Sequence, residues 1–88
     1  MLFEVIVKKK ALSFVRKLDL ERKQKIETLL NTLERDPIPY QDYDIKKLKG
    51  FANVFRIRIG SIRVIYEIRE SELKIIVRRI HKRGKVYK

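Results

Sequence analysis

Arg56 and Arg58 stand two residues apart in Val54-Phe55-Arg56-Ile57-Arg58-Ile59, and Arg63 follows in Ile62-Arg63-Val64-Ile65-Tyr66. A period of two puts the three guanidinium groups on one face of paired extended segments. The last residues, His81-Lys82-Arg83-Gly84-Lys85-Val86-Tyr87-Lys88, add more basic groups and an aromatic ring. The chemistry that suits such a set is transfer at a phosphodiester. RNA supplies its own nucleophile, the 2′-hydroxyl next to each phosphate. One group must accept its proton, another must protonate the leaving oxygen, and cationic donors must hold the extra negative charge. Arginine fits the last role because its planar fork donates two parallel hydrogen bonds. Arg56, Arg58, Arg63 and Arg83 form the candidate cage, with Tyr87 or Lys82 near the transferring protons. Read singly, each arginine is a solvated strand residue; four on one face point further. Composition alone leaves RNA binding and RNA cleavage undecided.

Other chemistries are set aside, some by counting and some by the lack of a pattern. The chain has no cysteine and one histidine, His81, so thiolate nucleophiles, disulfides and His-rich metal sites are ruled out. Asp42 and Asp44 flank Tyr43 without a histidine or cysteine nearby, and no metal site is expected there. Gly50, Gly60 and Gly84 are isolated, so there is no glycine-rich phosphate cradle and no cofactor is expected. Ser13, Ser61 and Ser71 lack any nucleophile-elbow pattern. No apolar run approaches membrane-spanning length. Met1 to Val7 has neither the basic start nor the small-residue cleavage site of a signal peptide. A small, basic, cytoplasmic protein is the expectation.

The charge is unevenly distributed. Residues 1–44 carry nine basic and eight acidic side chains, whereas residues 45–88 carry fourteen and three, leaving +11 of the total +12 in the second half. A field of one sign concentrated in this way favours a polyanion, most often nucleic acid.

The elements that must position these groups follow from periodicity. At 88 residues the chain is one domain, 1–88. Phe3 to Val7 reads as a strand. Ala11, Leu12, Phe14, Val15 and Leu18 recur at helical spacing, and the helix ends near Asp19, which caps the next one. Ile26, Leu29, Leu30 and Leu33 give the second helix its apolar stripe, with Leu30 at its centre. Asp36-Pro37-Ile38-Pro39 must end that helix. Residues 36–53 read as one long connection with Tyr40, Tyr43 and Phe51 as aromatic anchors. The period then changes to two for strands over 54–59, 62–69 and 73–80, the first pair joined at Gly60-Ser61. The fold class is therefore α+β, with an N-terminal strand and an αα-hairpin packed on one face of a small antiparallel sheet. Phe55, Ile57, Ile59, Ile62, Val64, Tyr66 and Ile68 must face the helices, and Arg56, Arg58 and Arg63 the open side.

With these residues in place, the chain resembles a known family. Leu48-Lys49-Gly50, Phe55 to Gly60 and Ile62 to Ile68 look like the central strands of the RelE toxins, here of the archaeal type within the RelE/ParE superfamily. Lys82-Arg83-Gly84-Lys85-Val86-Tyr87 looks like that superfamily's basic-aromatic ending. The helix pair and the Asp36-Pro37 stop also fit, so the resemblance covers essentially the whole chain. It implies the toxin of a type II toxin–antitoxin system, an endoribonuclease (mRNA interferase) that cuts messenger RNA in the ribosomal A site without metal and so inhibits translation. By position, Arg63 and Arg83 match the arginines assigned to transition-state stabilisation and leaving-group protonation. Arg56 and Arg58 match strand positions where lysines often contact RNA and assist proton transfer, and Tyr87 matches the aromatic that stacks on or orients the nucleotide beside the cut. Arg63, Arg83, Tyr87 and Arg58 are thus the expected catalytic residues, with Arg56, Lys82 and Lys85 binding RNA.

The implied partners are a RelB-like antitoxin, the ribosome and mRNA, with no membrane. Two departures stand out. Arginine at 58 is a poor base at neutral pH. Where members often carry a histidine directly before the signature arginine, this chain has Lys82; His81 lies one position earlier and reads as a strand-end residue. Two other functions fit the same features: a ParE-like toxin that inhibits DNA gyrase, and a non-catalytic module that binds RNA or the ribosome.

Overall fold

The computed structural model describes residues 2–82. Strand β1 spans Glu4–Val7, helix α1 Lys9–Arg16 and helix α2 Leu20–Arg35; strands β2 Asp44–Lys47, β3 Val54–Ile59, β4 Ile62–Arg69 and β5 Lys74–Lys82 follow. Together they make the α+β fold expected from the sequence, a helical pair lying on a five-stranded sheet of order β1-β5-β4-β3-β2. Asp19 caps α2, its carboxylate accepting from the Arg22 amide at 3.2 Å. The helix stops at Asp36, whose carboxylate turns back to accept from the Ile38 amide.

Period-two alternation sorts the sheet into two faces. Phe55, Ile57, Ile62, Val64, Tyr66 and Ile68 are buried against the helices with Ile75, Val77 and Ile80, and Ile59 is partly buried beside them. From the helical side Ala11, Ile26, Leu29 and Leu33 complete the core. Tyr66 is wholly buried, stacks on Phe55 with ring centroids 5.8 Å apart, and donates its hydroxyl to the Pro37 carbonyl at 2.7 Å. That bond locks the helix-ending segment to the sheet. Burial, reinforced by Asp36 and Tyr40, pushes the phenol well above its ordinary range.

The structure departs from the sequence reading at five places. Residues 44–47, read as connection, form edge strand β2, antiparallel to β3. Within the otherwise antiparallel sheet, β1 pairs with β5 in parallel, Val5 beside Ile75 and Val7 beside Val77. Leu12 turns to solvent instead of joining the helix stripe. In α2 it is Leu29, not Leu30, that sits fully buried at the centre; Leu30 is half-buried on the flank. Of the three aromatic anchors only Tyr43 packs on the core, while Tyr40 and Phe51 stay 70% and 61% exposed.

Candidate RNA-facing site on the open sheet

Strand pairing lines up the candidate side chains across four strands. Asp44 of β2 lies opposite Arg58 of β3, Arg58 opposite Arg63 of β4, and Arg63 opposite His81 of β5. Directly opposed residues share a face and stand close enough to interact. Asp44, Arg58, Arg63 and His81 therefore form a single row on the face the helices leave uncovered. The neighbouring row holds Lys46, Arg56, Ile65 and Arg79.

Two arginines directly opposed across a strand pair repel each other, and the row needs a counter-charge. Asp44 provides it. One carboxylate oxygen accepts from Arg56 Nη2 at 3.1 Å, and the other accepts from Arg58 Nε at 3.0 Å with Nη2 at 2.9 Å. Arg58 is thus held at a single carboxylate oxygen, through a hydrogen bond from Nε and a close ion-pair contact from Nη2. Arg56 is largely covered, its side chain 13% exposed, and Arg58 keeps 32%. Asp44 thereby fixes both planes and tempers their charge. The sequence singled Asp44 out only as a metal ligand to be dismissed; its spacing from Arg58 carries no pairing signal until β2 is recognised as a strand.

His81 is the penultimate residue of β5, at the strand end as expected, and it also joins the row beside Arg63. Burial holds its imidazole below the ordinary value; Arg79 and Arg63 push the same way, and the Lys82 backbone opposes them. The ring is consequently neutral at pH 7. Among the described residues nothing hydrogen-bonds its Nδ1. With Nδ1 buried, a ligand's proton would have to reach the neutral ring at Nε2, against the opposing charge of Arg79 and Arg63.

An irregularity in β5 enlarges the basic face. Ile65 pairs with Arg79 but Tyr66 pairs with Val77, so Arg78 is an extra residue and both arginines are exposed. Arg78 donates to Glu67 from Nε and Nη2 at 3.0 and 2.6 Å, and Arg69 adds a third bond at 3.2 Å. Those bonds, chiefly that from Arg78, lower the Glu67 carboxyl below its usual range. Arg79 makes no ion pair among the described residues.

The structure therefore brings Arg56, Arg58 and Arg63 together on one face. Lys82 closes β5 in the position after His81 and is exposed. Arg83, Lys85 and Tyr87 lie outside the described residues.

Comparison with known proteins agrees with this architecture. Residues 5–87 match the model of the ParE toxin of the type II toxin–antitoxin system parDE. A Methanocaldococcus jannaschii protein bearing the name toxin RelE1 is 39% identical over 88 residues, covering 100% of this chain and 98% of its own length. The fold superposes on the archaeal RelE–RelB complex from Pyrococcus horikoshii with a TM-score of 0.87 at 25% identity, covering 97% of this chain and 99% of that one. The RelB–RelE complex from Methanococcus jannaschii gives a TM-score of 0.80 at 24% identity, with coverage of 93% and 94%. No helix among the described residues is long and apolar enough to cross a membrane. On both the family match and the relative's full-length identity, the chain belongs to the ParE/RelE family of type II toxin–antitoxin toxins.

Proposed function

We propose that this toxin is a metal-independent endoribonuclease that cuts messenger RNA on the ribosome. The observation that carries the reading is the row Arg58–Arg63–His81, two cations and a neutral base side by side on an open, basic sheet face. In the proposed step the RNA 2′-oxygen attacks the adjacent phosphorus and His81 takes its proton. A five-coordinate phosphorane carries the added negative charge, which Arg63 and Arg58 receive on the phosphoryl oxygens. The bond from phosphorus to the 5′-oxygen then breaks and that oxygen takes up a proton, a role that falls to Arg83. The products are a 2′,3′-cyclic phosphate and a 5′-hydroxyl. Arg56, Lys82 and Lys85 serve the RNA backbone, and Tyr87 orients the nucleotide at the cut. His81 here takes the proton-acceptor role that the sequence alone left without an owner.

A RelB-like antitoxin is the proposed partner, since the P. horikoshii relative was solved bound to RelB. Mapping the 5′ ends of mRNA incubated with the pure protein tests the function. Cuts bearing 5′-hydroxyls that appear only with ribosomes support it. The ParE description of the family model favours a second reading, gyrase inhibition. Intact mRNA together with blocked supercoiling in a gyrase assay would establish that reading instead.

A further inference from the structure

Beyond the arginine row, the open face holds a second feature that the proposed cleavage does not use. A cavity of about 450 Å³ lies at the end of the sheet near the β2–β3 connection. That is within the range of small-ligand sites. Leu48, Val54 and Ile65 give it apolar lining, Arg79 stands on its wall, and the Phe51 ring is 61% exposed at its edge. An exposed ring at the rim of an apolar cleft is placed to stack on a planar ligand.

We propose that this cavity is a nucleobase subsite, in which Phe51 stacks on the base of a nucleotide next to the one cleaved. The inference rests on the RNA reading above and adds to it a place where the base is held. Its position is the main argument. Ile65, on the cavity lining, lies directly opposite Arg56 on one side and Arg79 on the other, and Arg63 is two residues away on the same face. Two residues along a strand span about 6.7 Å, the scale of a single nucleotide step. A phosphate held at Arg63 therefore leaves the neighbouring base at the cavity mouth. Arg79, with no ion pair among the described residues, meets the intervening backbone. Apolar lining, aromatic edge and flanking cation are the parts from which proteins build stacking platforms for single strands.

The full chain is titrated by fluorescence anisotropy with two labelled hexamers. One is 2′-O-methyl oligouridylate, which lacks the nucleophile; the other has the same phosphates but abasic spacers in place of bases. The wild type binds the base-containing hexamer roughly five- to 150-fold more tightly, the stacking contribution of one base. In Phe51→Ala the two affinities converge, in Phe51→Tyr the difference returns, and in Tyr40→Ala, an exposed aromatic away from the cavity, it never left. Phe51→Ala melting at the wild-type temperature shows that the fold is unaffected; if that variant melts early, Phe51→Leu, which keeps apolar bulk without a ring, takes its place. Equal wild-type affinity for both hexamers overturns the subsite while leaving the RNA reading intact. Binding of neither hexamer also overturns the subsite, while the RNA reading is judged separately by cleavage of ribosome-bound mRNA. Discrimination that survives in Phe51→Ala, with antitoxin affinity lost instead, assigns the cavity to a protein partner and overturns the proposal.

Discussion

The proposed mechanism gives Arg63, Asp44 and His81 separable roles, and single substitutions distinguish them. Arg63→Ala removes a charge-stabilising donor and should slow ribosome-dependent cleavage on the order of 100- to 1,000-fold, measured by single-turnover mRNA cutting. Its circular dichroism should match that of the wild type, because the core lies on the other face. Asp44→Asn removes the anion that holds Arg56 and Arg58. It should tighten binding to an uncleavable RNA while lowering the cleavage rate, since the planes are no longer fixed; a parallel gain in both would make Asp44 a mere competitor. His81 has a pH signature. Its native value is lowered from 6.5, chiefly by burial, so the unfolded chain takes up the proton first on acidification. Its contribution to stability is fully present above about 6.5 and lost as pH falls through the lower native value. Denaturant midpoints between pH 7.5 and 5 should therefore fall more steeply in wild type than in His81→Gln. The same substitution should slow cleavage about 100- to 10,000-fold and erase the acidic limb of the rate profile.

Helix α2 tests the register of the core. Leu29 is fully buried and Leu30 only half-buried, so Leu29→Ala should cost about 2–5 kcal/mol and Leu30→Ala clearly less, read from urea midpoints. A larger loss at Leu30 would rotate the helix from the position described. Most elements were legible in the sequence because each carries one clear period. The alternation in 54–59 and 62–69 places Arg56, Arg58 and Arg63 on the open face without further help. Leu29 and Leu30 were indistinguishable because adjacent members of an apolar stripe differ by 100° of rotation, and only the partner sheet decides which points inward. Strand β2 was hidden because Asp44-Ile45-Lys46-Lys47 is short, charged and poor in β-formers; edge position and pairing with β3 hold it, not propensity. With β2 unseen, the Asp44 clamp could not be read. The bulge at Arg78 escaped for a similar reason. An inserted residue looks like a break in alternation until the opposite strand shows which residue is surplus.

At the scale of the molecule, charge and topology each have a consequence. With +11 in residues 45–88, affinity for RNA should fall steeply as salt rises from roughly 50 to 200 mM, in a slope of log affinity against log salt that counts the phosphates neutralised. A flat response would remove the polyanion from consideration. The parallel pairing of β1 with β5 matters in time rather than in space. The β3–β4 and β4–β5 pairs close through a two-residue turn and a short helical turn, local events with little loop to order. Val5 meets Ile75 only after the intervening helices and strands have been made. Loop-closure entropy makes that contact the costly one, and contacts of such sequence separation slow folding. On the ribosome that synthesises it, the chain has no partner for its first strand until its last strand emerges. The arginine row, which needs β5 for His81, is completed at the same late moment. On the proposed mechanism, cleavage by a nascent chain must therefore wait for β5, the strand that bridges β1 to the rest of the sheet.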